Sequence, residues 1–260
     1  MVKVIVSGAK GRMGTCIVNA VAAAEDLKLV GCFDPHCAGQ VVSCADGDFA
    51  CSDDLGALID ATGADVVVDF TQPGAVLANV ECVLSHGAHA VVGTTGVARQ
   101  DMEALALKYA DKGGKLFFAP NFTTGAVLMM QFAKVAGKFF PDVEIVEMHH
   151  NQKLDVPSGT ALTLANSIAS VRPDAEFVIG RHENGKREKN QIGIHSLRLG
   201  NLAGTHEILI ATGSEVLTLR HEARDRALFA DGAMQAARFL VGKPAGLYTM
   251  QEIIHREDAQ

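Results

Sequence analysis

No apolar run in this 260-residue chain approaches the roughly 18 residues that suggest a membrane span. The opening stretch Met1-Val2-Lys3-Val4-Ile5-Val6 also lacks the charged, apolar and cleavage regions of a signal peptide. A cytoplasmic protein is therefore expected. There is no cationic surplus: the net charge is -7, so nothing favours nucleic acid or an anionic membrane as a partner, although a local basic pocket for a small anion remains open. The six cysteines (Cys16, Cys32, Cys37, Cys44, Cys51 and Cys82) form no C-x-x-C pair, which argues against a zinc ribbon or a redox motif. Free thiols in a reducing compartment are expected, with a cluster of His36, Cys37, Cys44 and Cys51 as the minor alternative. Repeats and low-complexity tracts are absent as well.

What is present is an ordinary globular composition, 48% hydrophobic, long enough for one large or two modest α/β domains. Apolar β-branched runs at 2–6, 27–33, 65–70, 89–92 and 115–119 alternate with amphipathic segments at 13–24, 51–62, 72–86 and 99–112. That alternation predicts a parallel, doubly wound sheet. Past Pro120 the character changes. An apolar helix is expected at 125–140, with Met129 and Met130 as core filler, then a strand at 143–148 and a helix at 160–170. Segments 192–199, 204–211 and 215–223 alternate polar and apolar residues, the pattern of an antiparallel meander. The charge run 181–190 reads as a solvated hairpin tip, and 228–241 as an Ala-rich helix.

Gly8-Ala9-Lys10-Gly11-Arg12-Met13-Gly14 follows the first strand and opens the first helix. Glycines in that context permit a tight turn and bring backbone N–H groups close to a pyrophosphate, whose charge the helix N-terminus favours. Asp34 ends the next strand about 20 residues further on, where a carboxylate hydrogen-bonds the ribose hydroxyls of NAD. A carboxylate there repels a 2′-phosphate, and Pro35 and His36 follow it where an Arg would be needed for NADP. NADH is thus expected to be preferred, with NADPH tolerated through Lys10 and Arg12. Gly93-Thr94-Thr95-Gly96 and Ala119-Pro120-Asn121-Phe122 end later strands on the same presumed edge and are expected to face the nicotinamide end.

The densest chemistry lies in Glu147-Met148-His149-His150-Asn151-Gln152-Lys153-Leu154-Asp155-Val156-Pro157-Ser158-Gly159-Thr160-Ala161. An imidazole pair, a cation and a helix N-terminus within one loop suit an anionic substrate that needs a proton. The alternatives are a metal-binding His pair, for which i, i+4 spacing is lacking, and an ordinary Ser N-cap beside surface histidines.

This stretch resembles the signature of the dihydrodipicolinate reductase family. The chain agrees in order elsewhere too: Gly8 to Gly14, Asp69-Phe70-Thr71, Gly93 to Gly96, Ala119 to Phe122, and His221 with Ala223, Arg226, Phe229-Ala230 and Gly232-Ala233. The resemblance implies a Rossmann-like nucleotide domain (1–122 with 231–260) and a mixed α+β substrate and tetramerisation domain (123–230), joined by a hinge in a homotetramer. It implies reduction of a cyclic dicarboxylate of diaminopimelate and lysine biosynthesis, with no metal. His149 would exchange the proton, Lys153 would share in proton donation, and His150 with the Gly159-Thr160 backbone would hold substrate, aided by the Ser158 helix N-terminus and Arg226. Gln72 and Pro35 stand where some relatives carry basic residues, which weakens the expectation of strong NADPH binding.

Other dehydrogenases on the same scaffold, or a sensor that binds NAD without turnover, would not need His149, His150, Lys153 and the Ser158 loop together.

Overall fold

The computed structural model describes residues 1–255; the last five positions of the expected 231–260 segment lie outside the described residues. The chain divides into two compact units, Met1–Phe122 with the chain from Arg226 onward, and Thr123–Asp225.

The first unit opens with β1 (Val2–Ser7), α1 (Arg12–Ala22) and β2 (Leu27–Phe33). Helix α1 buries Gly14, Ile17, Val18 and Val21, one stripe at helical spacing; each aliphatic side chain there contributes about 1.5–3 kcal/mol by leaving water. A hairpin follows, β3 (Val41–Cys44) and β4 (Gly47–Ser52), then α2 (Leu55–Thr62). The segment 51–62, expected to be wholly helical, is strand up to Ser52. Asp54 sets the boundary, because its carboxylate accepts the Ala57 N–H at 2.9 Å as an N-cap while Cys51 pairs with Cys32 of β2. The unit continues through β5 (Val66–Asp69), α3 (Pro73–Ser85), β6 (His89–Val92), α4 (Arg99–Lys108) and β7 (Lys115–Phe118).

The second unit comprises α5 (Thr124–Ala136), β8 (Asp142–His149), α6 (Gly159–Ala169), β9 (Glu176–Ile179), β10 (Gln191–Arg198), β11 (Gly204–Ala211) and β12 (Val216–Ala223). The chain then returns to the first unit with α7 (Ala227–Leu240), β13 (Gly246–Tyr248) and α8 (Met250–Ile254). Helix α7 packs against α1, and the compact division assigns the chain to the first unit from Arg226, where the return was expected at residue 231.

The first sheet has strand order β13-β7-β6-β5-β1-β2-β4-β3, parallel throughout except the edge strand β3, which makes a Rossmann-like parallel-sheet unit. Its central strand β5 is buried at every position, as a strand covered on both faces must be.

The second sheet runs β12-β11-β8-β10-β9. The expected meander is corrected here. Strands β11 and β12 do pair antiparallel, but β8 stands between β10 and β11, parallel to the first and antiparallel to the second. Alternation reports which face is buried, not which strand lies alongside. The run 181–190 likewise joins two parallel strands and is no hairpin tip. Its Arg181 lies 3.1 Å from Glu144, and Arg187 lies 3.5 Å from Asp142. One sheet face packs Val143, Ile145, Ile192, Ile194, Ile208 and Ile210 against α5 and α6, with Met129 in that core and Met130 at its margin.

Candidate active site

At the end of β1, Gly8 adopts φ +78°, and a Cβ on it would lie 2.7 Å from the Phe70 carbonyl oxygen. A Cβ on Gly14 would lie 2.0 Å from the Gly8 oxygen, so this loop closes only around glycine. Helix α1 starts on Gly11 with no side-chain cap and no acidic residue in its first turn, which leaves its leading N–H groups available to an anion. A cleft of about 540 Å³ opens over it, lined by Gly8, Gly11, Arg12, Met13, Asp34 and Thr71 among others. Asp34 accepts the Lys10 backbone N–H at 3.2 Å, which ties this carboxylate to the glycine loop; the Lys10 ammonium is spent on the Val41 carbonyl at 3.1 Å. Glycine cradle, free helix N-terminus and carboxylate fit a dinucleotide.

The other expected cofactor residues divide. Thr94 is buried, and its hydroxyl donates to Asp69 at 2.9 Å, so it braces the loop; Thr95 is exposed. Gly93 makes room for the Phe70 ring, which a Cβ would meet at 2.2 Å. Ala119 continues the sheet through its N–H to Val92, Pro120 is exposed, and Asn121 follows it. Phe122 is buried against Phe70 and Phe117, with ring centroids 5.5 and 5.9 Å away. Asp69, whose role the sequence reading left unassigned, gathers these strand ends: it accepts from Ser7, the Thr71 N–H and hydroxyl, Asn79 and Thr94. A lone Asp ending the run Val66-Val67-Val68 was the available signal.

In the second unit β8 buries Val143, Ile145, Glu147 and His149 on one face, each two residues after the last. Glu147 is fully buried. It accepts from His149 Nδ1 at 2.5 Å, from Arg198 Nη1 and Nη2 at 3.0 Å each, and from the Ser158 N–H at 3.2 Å. Burial favours the neutral acid, but hydrogen bonds from His149 and Arg198 outweigh it and hold the carboxyl down at about 2.

The His206 ring meets His149 edge-on, centroids 5.3 Å apart, and its Nε2 lies 3.1 Å from the Ser158 hydroxyl. Burial first, then the nearby His149, pushes His206 down to about 4. Ser158 caps α6 by accepting the Ala161 N–H at 3.2 Å and is itself buried, so its hydroxyl is a structural group.

The other expected substrate residues are more open. His150 follows the last residue of β8 and is half-buried. Lys153 pairs with Asp155 at 2.8 Å, and the Asp155 carboxyl, though burial opposes it, is held low by Lys153 and by the Gly159 backbone. A protein carboxylate thus takes the place expected for one on a substrate. Gly159 is exposed, with nothing within 4 Å of an added Cβ, and Thr160 is half-buried. Arg226 belongs to the first unit, exposed at the N-cap of α7. Arg198 and His206 were missed in the sequence, because their partners are fixed only by strand register.

Known proteins match this chain along its length. The family descriptions "Dihydrodipicolinate reductase, N-terminus" and "Dihydrodipicolinate reductase, C-terminus" match residues 2–122 and 125–254. The 4-hydroxy-tetrahydrodipicolinate reductase of Cutibacterium acnes is 40% identical over 256 residues, covering 94% of this chain and 95% of its own. That of Enterococcus faecalis is 38% identical, covering 98% and 100%. A solved structure of dipicolinate-bound dihydrodipicolinate reductase from Paenisporosarcina sp. TG-14 superposes with a TM-score of 0.80 at 33% identity, covering 96% of this chain and 97% of that one.

Proposed function

The chain belongs to the dihydrodipicolinate reductase family, and from that premise we propose how its own residues carry out the reaction. The enzyme is an oxidoreductase of diaminopimelate and lysine biosynthesis that reduces 4-hydroxy-tetrahydrodipicolinate, with a nicotinamide dinucleotide as electron source. When bound, the reduced nicotinamide supplies a hydride.

The second unit supplies the proton and the grip on the dicarboxylate. His149 acts as general acid toward the carbon beside the reduced position, and Lys153 polarises the imine side. The ring carboxylates are held by the α6 N-terminus at Gly159 and Thr160 and by Lys153, each a charge-assisted contact, with His150 as a further binding group. The observation that carries this reading is a buried imidazole at the end of the central strand, beside a helix N-terminus and a lysine loop.

In the first unit the Gly8–Met13 loop holds the pyrophosphate, and Asp34 the ribose of the cofactor, with Gly93, Thr94, Thr95 and residues 119–122 as its nicotinamide-side boundary. Asp34 lining the cleft, followed by Pro35 and His36, supports preference for NADH over NADPH. No helix among the described residues is long and apolar enough to cross a membrane, and a cytoplasmic homotetramer is the proposed working form. Exposed Leu197 and Val216 on the second sheet support assembly there, which sedimentation would measure.

The test is nicotinamide oxidation by the purified protein with intermediate freshly made from pyruvate and aspartate semialdehyde, NADH and NADPH run in parallel. Rapid oxidation that needs both enzyme and intermediate, faster with NADH, is expected; a kcat/KM ratio strongly favouring NADPH would overturn the assignment to Asp34. His149→Gln should lower kcat far more than it raises the substrate KM, and the reverse pattern would make His149 a binding residue.

A further inference from the structure

Four N–H donors from three different segments converge on one buried carboxylate, Glu147. They are His149 Nδ1 at the end of β8, both Arg198 terminal nitrogens from β10, and the Ser158 backbone at the start of α6. Arginine and a backbone amide are donors in every state, so the group between them has to be an acceptor at both oxygens. That constraint reaches the imidazole, because a carboxylate without a proton can meet Nδ1 only if Nδ1 carries one. The neutral ring then has its lone pair on Nε2, and the protonated ring has its transferable proton there.

We propose that Glu147, charge-balanced by Arg198, is a positioning residue that fixes the proton of His149 on Nδ1 and leaves Nε2 as the nitrogen that gives a proton to the substrate. The inference rests on the assignment of His149 as the general acid. In the step itself the Nε2–H bond breaks, the electron pair of the former substrate double bond takes the proton, and the ring is left neutral with Nδ1–H still bonded to Glu147. Solvent restores the Nε2 proton.

Surroundings of the ring agree with this division of its two nitrogens. Nε2 lies against Gly204, whose added Cβ would come within 3.1 Å of it, so any side chain at residue 204 would crowd that nitrogen. His206 stands edge-on to the ring, and its strong burial keeps it neutral, so it adds no positive charge that would oppose protonation of His149. Lys153, in the loop after β8, is paired with Asp155. Glu147 itself is anionic across the working range, as its carboxyl held near 2 requires.

Gln at position 147 has the same shape but must turn an NH2 toward either His149 or the Arg198 and Ser158 donors, so it cannot satisfy all of them. Glu147→Gln should therefore lower kcat at least tenfold while changing the substrate KM less than threefold and leaving NADH affinity as it was. Glu147→Gln combined with His149→Gln should be no worse than His149→Gln alone, since the first residue acts through the second.

A measurement on the unaltered enzyme guards against failure of the variant to fold: ¹⁵N spectra of histidine-labelled protein should place the neutral His149 proton on Nδ1. A proton on Nε2 there would overturn the proposal. So would a Glu147→Gln enzyme with full kcat beside an impaired His149→Gln, or losses that multiply in the double variant. Full turnover by His149→Gln would remove the general-acid reading and the positioning role together, and that single variant identifies the cause.

Discussion

Ser7 and Asp69 end neighbouring parallel strands in register and share a 2.7 Å hydrogen bond where both are almost wholly out of water. The bond is one of five that Asp69 accepts, the others coming from Thr71 twice, Asn79 and Thr94, so the carboxylate ties the carboxyl ends of β1, β5 and β6 to α3. Asp69→Ala should cost on the order of 3 kcal/mol, because several buried donors lose their acceptor at once. It should also weaken NADH binding. Urea denaturation and a cofactor titration would check both, and a variant as stable as the parent would show that water replaces the carboxylate.

Tight closure of the glycine loop gives a second prediction. Gly14→Ala places a methyl group 2.0 Å from a backbone oxygen, with no flexible side chain to move aside. The loop or α1 must shift, and a loss of about 1–3 kcal/mol in stability is expected together with a large rise in the NADH Kd. Gly185→Ala, with nothing within 4 Å of its Cβ, is the control and should stay within about 0.5 kcal/mol of the parent.

His206 makes stability depend on pH. Its folded value, near 4, lies below the ordinary 6.5, so between those limits the unfolded chain binds a proton that the folded chain refuses. Stability therefore rises with pH through that window, and lowering the pH from 7 to 4 should remove on the order of 3 kcal/mol. His149, Glu147, His221 and Lys153 all act on this ring, the Glu alone favouring its charge. His206→Gln should flatten this part of the profile; an unchanged slope in urea melts at pH 7 and pH 4.5 would assign the effect to another group.

Asp155 competes for the partners proposed for the substrate. Its carboxylate lies 2.8 Å from Lys153 and is stabilised by the Gly159 backbone, both of which an incoming ring carboxylate would need. Asp155→Asn should lower the substrate KM several-fold with little change in kcat. If KM instead rises, Asp155 serves to aim Lys153 and not to occupy it.

Much of the first unit was legible from strand and helix periods, since a parallel sheet covered on both faces writes each strand as a short apolar run. The hairpin of β3 and β4 was not, because Val41-Val42-Ser43-Cys44 and the following turn are too short and too polar to stand out from a loop. In the second unit the alternation Val143, Ile145, Glu147, His149 already placed two polar side chains on a buried face, a sign that they had partners. Which partners they had depended on β10 lying parallel to β8, with Arg198 opposite His149, and pairing across some fifty residues leaves no mark in local pattern. The loop after β8 stood out in the sequence by its residue types alone, as a place where His, Lys and a helix start meet. That Ser158 is committed to the cap and to His206 was not, since a serine at a helix start looks the same whether open or buried.

Strand β8 carries its buried Glu147 and His149 between two neighbours of opposite direction, while His150 through Pro157 lie beyond its end. On the proposed roles, the proton-handling atoms come from the sheet, and recognition of the acid from a loop whose length and sequence no ladder constrains. Lineages descended from such a framework could be retargeted to a different cyclic or open-chain acid by replacing the loop alone, and selection would act on the two parts at different speeds.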